Sequence, residues 1–306
     1  MVSVSQSFSQ LLFLFLAALV STKPGRAFPL QHRQTDLVSL STAGISAFKP
    51  FTFYASTAYC QPEAILQWSC GANCDANPTF QPLAAGGDGA DVQFWYVGID
   101  PTLETIIVSH QGTDPSKIDP LLTNADIRLD ELDAVFFPGI DDSVKVHNGF
   151  TEAHAETAVQ IRDAVQNAIN QSNLTSITLV GHSLGGALSL LDAVSLPLFF
   201  PTATFKTIVY GMPRVGNQAF AEHVNQNVNL DRINNKDDVV PIIPGRFLGF
   251  SHPGGEKHIQ DDDSWLVCVG NDSKDPRCAT GDVRNILDGS IEDHGGPYDG
   301  VNIGCD

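Results

Sequence analysis

The pentapeptide Gly181-His182-Ser183-Leu184-Gly185 constrains this chain more than any other segment. Aliphatic and β-branched residues precede it, Ser176-Ile177-Thr178-Leu179-Val180, and small and aliphatic ones follow, Gly186-Ala187-Leu188-Ser189-Leu190-Leu191. The first run reads as a buried strand and the second as a packed helix. A serine at such a strand-to-helix turn sits in strained backbone with its hydroxyl pushed outward. The flanking glycines leave room for the tight turn and for close helix packing. The helix N-terminus behind the serine favours negative charge on an attacked carbonyl oxygen. A glycine-rich turn after a buried strand is the bland alternative, and the ordered strand and helix favour a nucleophile over it.

Strand and helix patterns alternate along the chain. Residues 28–50 read as an extended or helical arm. Segments 91–98 and 103–109 read as strands joined by the turn Ile99-Asp100-Pro101-Thr102, and 144–146 as a short strand. Residues 150–169 carry Ala158, Ile161, Val165, Ala168 and Ile169 on one helical face. After the elbow, strands are expected over 205–211, 230–234, 247–252 and 265–269, with helices over 219–225 and 283–287. Alternation of this kind implies a mostly parallel central sheet covered by helices on both faces. Functional groups then belong in loops at the carboxyl ends of strands. No Pro/Ser-rich linker divides residues 28–306, which read as a single domain.

The apolar run Leu11 to Val20 is too short to span a bilayer and reads as the core of a signal peptide over residues 1–22, with cleavage after Thr22 or as late as Ala27. No other segment is apolar enough for a transmembrane helix. The formal net charge of -18 argues against nucleic acid and against anionic membrane surfaces as partners.

Six cysteines follow the leader, and an even count in a secreted chain implies disulfides. Local spacing favours Cys70 with Cys74 and Cys268 with Cys278, leaving Cys60 with Cys305. A zinc site is the rival, but no Cys-x-x-Cys pair occurs. Sequons at Asn170, Asn173 and Asn271 mark candidate glycosylation sites. Asp261-Asp262-Asp263 lacks the alternating spacing of a calcium loop and reads as a solvated turn. No metal or cofactor is expected.

A serine hydroxyl needs a histidine to take its proton and an acid to orient that histidine. On strand–elbow–helix sheets the chain order is serine, acid, histidine. Asp238, in Lys236-Asp237-Asp238-Val239-Val240-Pro241, is the first candidate acid and Asp237 the second; Asp192 reads as a surface or capping residue of the helix after the elbow. His294, in a loop after the last helix, is the candidate base, with His252 in reserve. His258 and His182 read as structural. Oxyanion donors are expected from the backbone N–H of Leu184 and from Thr113, which ends the strand-terminal run Ser109-His110-Gln111-Gly112-Thr113. Asp114-Pro115 and Asp119-Pro120 look like helix starts. The short turns they begin carry Ile118, Leu121 and Leu122, a candidate lid.

Taken together these segments resemble the fungal class 3 lipases, secreted α/β-hydrolases. The resemblance rests on Gly181 to Gly185, Asp238-Val239-Val240-Pro241, His147-Asn148-Gly149-Phe150, Tyr59-Cys60 with Cys70 and Cys74, and Ser251-His252-Pro253 followed by Glu256. It covers about residues 50–305. It implies an α/β-hydrolase fold with a short helical lid over residues 114–125. It implies Ser183 as nucleophile, Asp238 as orienting acid, His294 as base, Thr113 and Leu184 as oxyanion donors, and a structural His252. Gln111 stands where the family usually has arginine, which removes an ion pair that would hold the oxyanion loop. The lid segment lacks the tryptophan many members carry.

The expected function is a secreted serine carboxylester hydrolase, a triacylglycerol lipase acting through an acyl-enzyme. A feruloyl or other small-ester esterase, or a phospholipase, keeps the chemistry and changes the substrate; an inactive lipid-binding relative is the reading from another class. The expected partner is a lipid or other ester substrate met at an oil–water interface, with no nucleic acid and a monomeric chain.

Overall fold

The computed structural model describes residues 37–113 and 127–305. The leader at 1–22 with its cleavage sites, and the candidate lid residues Ile118, Leu121 and Leu122, lie outside the described residues.

The strands are β1 (Val38–Ser39), β2 (Gln81–Gly86), β3 (Trp95–Asp100), β4 (Thr105–His110), β5 (Leu129–Glu131), β6 (Lys145–His147), β7 (Ser176–His182), β8 (Thr204–Tyr210), β9 (Gly216–Asn217), β10 (Leu230–Asn235), β11 (Phe250–Ser251), β12 (Glu256–Ile259) and β13 (Trp265–Val267). Four longer helices matter here: α1 (Lys49–Thr57), α2 (Asn148–Ser172), α3 (Leu184–Phe199) and α4 (Gln218–Asn227). A nine-stranded sheet runs in the order β1-β13-β12-β10-β8-β7-β4-β3-β2. Its centre, β4 through β7, β8 and β10 to β12, is parallel, and both margins are antiparallel. A small antiparallel sheet, β11-β9-β6-β5, stands beside it.

Period-2 alternation divides the core. Ile106 and Val108 of β4 join a cluster with Ile161 and Val165 of α2 and Leu190 and Leu191 of α3. Ile107, Val180, Ile208 and Ile233 point the other way and pack with Tyr54 of α1, Tyr96 and Tyr210. Helix α3 is buried over almost its whole length, which explains why its sequence is apolar all round. Helix α2 opens on the His147 side chain, which accepts the Gly149 N–H at 3.0 Å, and closes on Asn173 in the left-handed region at φ 58°.

The sheet register aligns the carboxyl ends. His110 pairs with Gly181, and His182 pairs with Tyr210. The loops that follow β4, β7, β8 and β10 therefore open at one edge, which is where parallel sheets place ligands.

Disulfides join Cys60 to Cys305, Cys70 to Cys74 and Cys268 to Cys278. The first spans 245 residues of sequence. In the chain-entropy model, closing so long a loop stabilises by about 5 kcal/mol.

Some sequence expectations need correction. Residues 283–287 form no helix: the helical turn is Ala279–Asp282, and the Asn285 side chain accepts the Leu287 N–H at 2.9 Å. That local bond offers the backbone a turn in place of a helix. Segment 247–252 begins as the 3₁₀ turn Arg246–Leu248 before β11. Asp192 is neither a surface nor a capping residue but is buried. Strands β2 and β12 escaped notice because one carries Pro82 at the sheet edge and the other is rich in charge.

Candidate active site

Ser183 follows β7 with φ 58° and ψ -130°, a left-handed conformation rare for a residue with a side chain. Glycines on both sides permit it. A Cβ on Gly181 would collide with the Gly185 backbone, and one on Gly185 would collide with the His110 carbonyl. The turn is pinned from below, where the Ser183 N–H donates to the Tyr210 carbonyl at 2.9 Å. Ser183 is nearly buried, at 3% exposure.

Asp238 lies just beyond β10. Its carboxylate accepts the Val240 N–H at 2.9 Å and faces His294 Nδ1 with both oxygens, at 3.0 and 2.9 Å. The two loops are stitched together by one backbone and one side-chain bond: the Ser290 N–H donates to the Asp237 carbonyl at 2.7 Å, and Asn235 Nδ2 donates to the Asp293 carbonyl at 2.9 Å. Gly211, at the end of β8, makes room for the pair. A Cβ there would lie 2.8 Å from His294 Nδ1 and 2.9 Å from Asp238 Oδ2. With Nδ1 committed to Asp238, the ring presents Nε2, which is buried and has no hydrogen-bond partner among the described residues, Ser183 Oγ included. Histidine–nucleophile hydrogen bonds are often long without substrate and tighten when it binds.

His182 ties this loop to the elbow. Its Nε2–H donates to the His294 carbonyl at 2.7 Å, and the Tyr59 hydroxyl donates to its Nδ1 at 2.7 Å. The Tyr298 hydroxyl also donates to the His294 carbonyl, at 3.1 Å. Burial, reinforced by the neighbouring His294 ring, holds His182 well below the usual histidine range. It therefore stays neutral, so no permanent positive charge stands beside His294. Sequence reading took His182 as packing and singled out neither Tyr59 nor Tyr298 for this role. The only signal was Tyr59 beside Cys60.

Leu184 is the first residue of α3, so its N–H has no intrahelical partner. Gly112 packs directly on the elbow: a Cβ there would lie 2.9 Å from Ser183 Cβ and 2.6 Å from the His182 carbonyl oxygen. Thr113 follows, its hydroxyl buried and without a partner among the described residues. Gln111 holds this loop through the chain itself, its N–H donating to the Phe94 carbonyl at 2.8 Å and its Oε1 accepting the Phe94 N–H at 2.9 Å. One residue earlier, His110 Nε2 donates to Asp192 at 2.7 Å, and His154 Nε2 of α2 donates to the other oxygen at 3.0 Å.

A cleft of about 870 Å³ reaches this edge through Leu184. Ile242, Ile243, Pro244 and Val283 form one wall, and His147, Asn148 and Phe150 another. Arg214 braces the first wall from behind, donating to the Ile242 and Pro244 carbonyls, to Thr280 and to Asp272.

The remaining candidates sit elsewhere. His252 is buried with Nε2 on the Pro241 carbonyl, and His258 lies between the Lys236 and Arg277 carbonyls. Asn170 and Asn173 are exposed at the end of α2, and Asn271 accepts from Asn225. Glu256, Cys268 and Cys278 cluster, but both sulfurs are disulfide-bonded and Glu256 is engaged by Arg232 and the Ala279 N–H, so the set does not fit a metal ion. In the acidic run, Asp262 caps the Ser264 N–H and Asp263 faces Lys236.

A doubly covered parallel sheet with a strained serine elbow and a carboxylate-bound histidine defines an α/β-hydrolase. The family description "Lipase (class 3)" matches residues 107–248. A secreted mono- and diacylglycerol lipase of Fusarium solani is 32% identical over 239 residues, covering 74% of this chain and 66% of that protein. One from Malassezia globosa is 30% identical over 204 residues, 65% of this chain and 66% of that protein. The chain thus spans just under two thirds of these relatives' length. Among solved structures, lipase II of Rhizopus niveus superposes with a TM-score of 0.74 at 26% identity, covering 87% of this chain and 98% of that one. A lipase of Yarrowia lipolytica gives 0.76 at 23%, covering 89% and 98%. This chain belongs to the fungal class 3 lipase family.

Proposed function

We propose that the chain is a secreted carboxylester hydrolase that cleaves acylglycerols, with Ser183, His294 and Asp238 as its triad. One observation carries the reading: His294 is fixed by both oxygens of Asp238, and its unpartnered Nε2 belongs to a loop bonded to the residue before the elbow serine. Nε2 removes the Ser183 proton as Oγ attacks the ester carbonyl. The oxyanion is met by the N–H groups of Leu184 and Thr113 and by the Thr113 hydroxyl. His294 then protonates the departing alcohol, and water, activated by the same nitrogen, releases the acid. The Leu184 end of the apolar cleft receives the acyl chain. Secretion agrees with the disulfides and with the secreted relatives.

Covalent labelling by an organophosphonate tests the site. The parent chain is expected to react at Ser183, and Ser183→Ala to lose both labelling and ester hydrolysis by about three orders of magnitude or more. An alanine variant as fast as the parent overturns the assignment, and failure of the parent to label indicates an inactive lipid binder. A second reading concerns the substrate. The curated relatives are named for mono- and diacylglycerols. Relative rates on mono-, di- and triolein, with methyl ferulate as the small-ester arm, separate those from triacylglycerol and feruloyl preference.

A further inference from the structure

A second cleft, of about 490 Å³, opens at the β2 margin of the large sheet and shares no lining residue with the one that ends at Leu184. Trp95 of β3, Glu156 and Gln160 of α2, and Asp88 in the loop after β2 line it. Glu156 and Gln160 stand four residues apart and so share one helical face. Trp95 is only 6% exposed, yet its Nε1–H has no hydrogen-bond partner among the described residues. Buried indole N–H groups usually find one. Gly86 explains how this edge of the ring reaches the cleft. It pairs with Trp95 across the strands, and a Cβ on it would lie 2.9 Å from Cζ2 and 3.0 Å from Nε1 of the indole. Any larger residue at 86 would cover that edge. Asp88 accepts the Ala90 and Val92 N–H groups at 2.8 and 3.0 Å, and these bonds hold its carboxyl below the usual range. The Glu156 carboxylate and the Gln160 amide have no hydrogen-bond partner among the described residues.

The cleft therefore offers acceptors at Asp88 and Glu156, a donor at Trp95 and both functions at Gln160. No lysine, arginine or histidine lines it among the described residues. A metal ion or an ammonium group would leave the indole N–H unanswered. An anion would meet two carboxylates, and an acyl chain would strand four polar groups. A sugar hydroxyl donates and accepts through one oxygen, which suits a donor and acceptors set side by side. We propose that this cleft binds a neutral saccharide, with hydroxyls donating to Asp88 and Glu156 and a hydroxyl oxygen accepting the Trp95 N–H. Sheet register sets where the sugar stands. Gly86 pairs with Trp95, Trp95 with His110, and His110 with Gly181. The saccharide is thus held at the same sheet edge as Ser183, three strands or about 14 Å from β7. Its binding goes beyond the ester-hydrolase reading and requires no turnover.

Calorimetric titration of the parent chain with cellotetraose, xylotetraose and maltotetraose tests it. At least one is expected to bind with a Kd of about 1 mM or tighter, and high salt to leave that affinity unchanged, because the ligand is neutral. E156A/Q160A alters two exposed helix positions. It is expected to weaken binding by about tenfold or more and to keep tributyrin hydrolysis within about twofold of the parent. W95F keeps an aromatic ring, removes the N–H and is expected to cost about fivefold in affinity. Binding of none of the three sugars up to about 10 mM overturns the proposal, as does full affinity in a folded E156A/Q160A protein. Displacement of the sugar by lower concentrations of tetramethylammonium or calcium makes this a cation site and overturns it too. The parent titrations and E156A/Q160A decide the matter even where W95F fails to fold. Failure of Ser183 to label in the separate organophosphonate assay strikes the functional reading and leaves this one standing.

Discussion

Among the described residues two buried carboxylates bind imidazole, and their surroundings differ in one decisive way. Asp238 gives both oxygens to a single ring, His294, and that ring keeps an Nε2 with no hydrogen-bond partner among the described residues. Asp192 divides its oxygens between two rings, His110 and His154, each bound through Nε2, with the two Nδ1 atoms enclosed in the core. The first pair sits in loops beyond strand ends, beside a serine. The second joins the end of β4, α2 and α3, and neither of its rings hydrogen-bonds a serine or cysteine among the described residues. On the proposed reading the same functional groups serve chemistry at Asp238 and architecture at Asp192. The difference teaches that a histidine–aspartate bond identifies a site only through what the second nitrogen faces.

The largest expected effect breaks the comparison at Asp238. Asp238→Asn keeps the shape and an acceptor for the Val240 N–H but no longer fixes the donating tautomer of His294 or stabilises its charged form. Its kcat is expected to fall by about four orders of magnitude, with a thermal midpoint within a few degrees of the parent. The mirror experiment is Asp192→Asn. One ring can still donate to the amide oxygen, but the other meets an N–H and must switch tautomer, which leaves a buried Nδ1–H without a partner. A loss of about 3 kcal/mol is expected, or a midpoint lower by roughly 10 °C, with kcat/KM changed less than tenfold. Melting curves and ester kinetics on both variants check the crossing. A stability loss at Asp238 or a catalytic collapse at Asp192 would merge the two regions.

The sequence revealed these regions unequally. Ser183 announces itself because strain, glycines, strand and helix are all local. Asp238 and His294 carried local signals as well, Asp-Val-Val-Pro and a glycine-rich loop, and chain order linked them. Asp192 lay in Leu190-Leu191-Asp192-Ala193-Val194, where one polar residue on an apolar helix reads as the solvent side. Its partners are 38 and 82 residues away, so its burial is a tertiary fact that no local pattern carries. The turn at Asn285 was read as helix because aliphatic residues dominate it, while one side-chain bond decided its backbone.

The acid limb of stability sharpens the contrast further. Burial alone would raise the Asp192 carboxyl, but hydrogen bonds from His110 and His154 outweigh it and lower the pKa from 3.8 to about 2. Because the folded value lies below the unfolded one, the linked stabilisation of about 2 kcal/mol is complete above roughly pH 4 and is lost as pH falls toward 2. Unfolding free energies of the parent are therefore expected to drop over that window more steeply than those of Asp192→Asn. Parallel acid limbs in the two proteins would show that the carboxyl is not held down in the fold.

The smallest effect tests whether His294, the proposed base, is held only by Asp238. Tyr59 donates to His182 Nδ1, which fixes the tautomer that lets His182 Nε2–H donate to the His294 carbonyl. Gly112 presses on the same hydroxyl, since a Cβ there would collide with it. Tyr59→Phe keeps the ring and removes the donor, at a cost of about 1 kcal/mol. If the bond positions His294, that energy appears in the transition state, as a fall in kcat of about fivefold with KM little changed. If it only supports the elbow, the thermal midpoint drops by a few degrees and kcat stays. His110 and His154 have no hydrogen-bond partner at their Nδ1 atoms among the described residues. A kinetic effect at Tyr59 would therefore mark the positioning of an imidazole through its backbone as a property of the reactive pair alone.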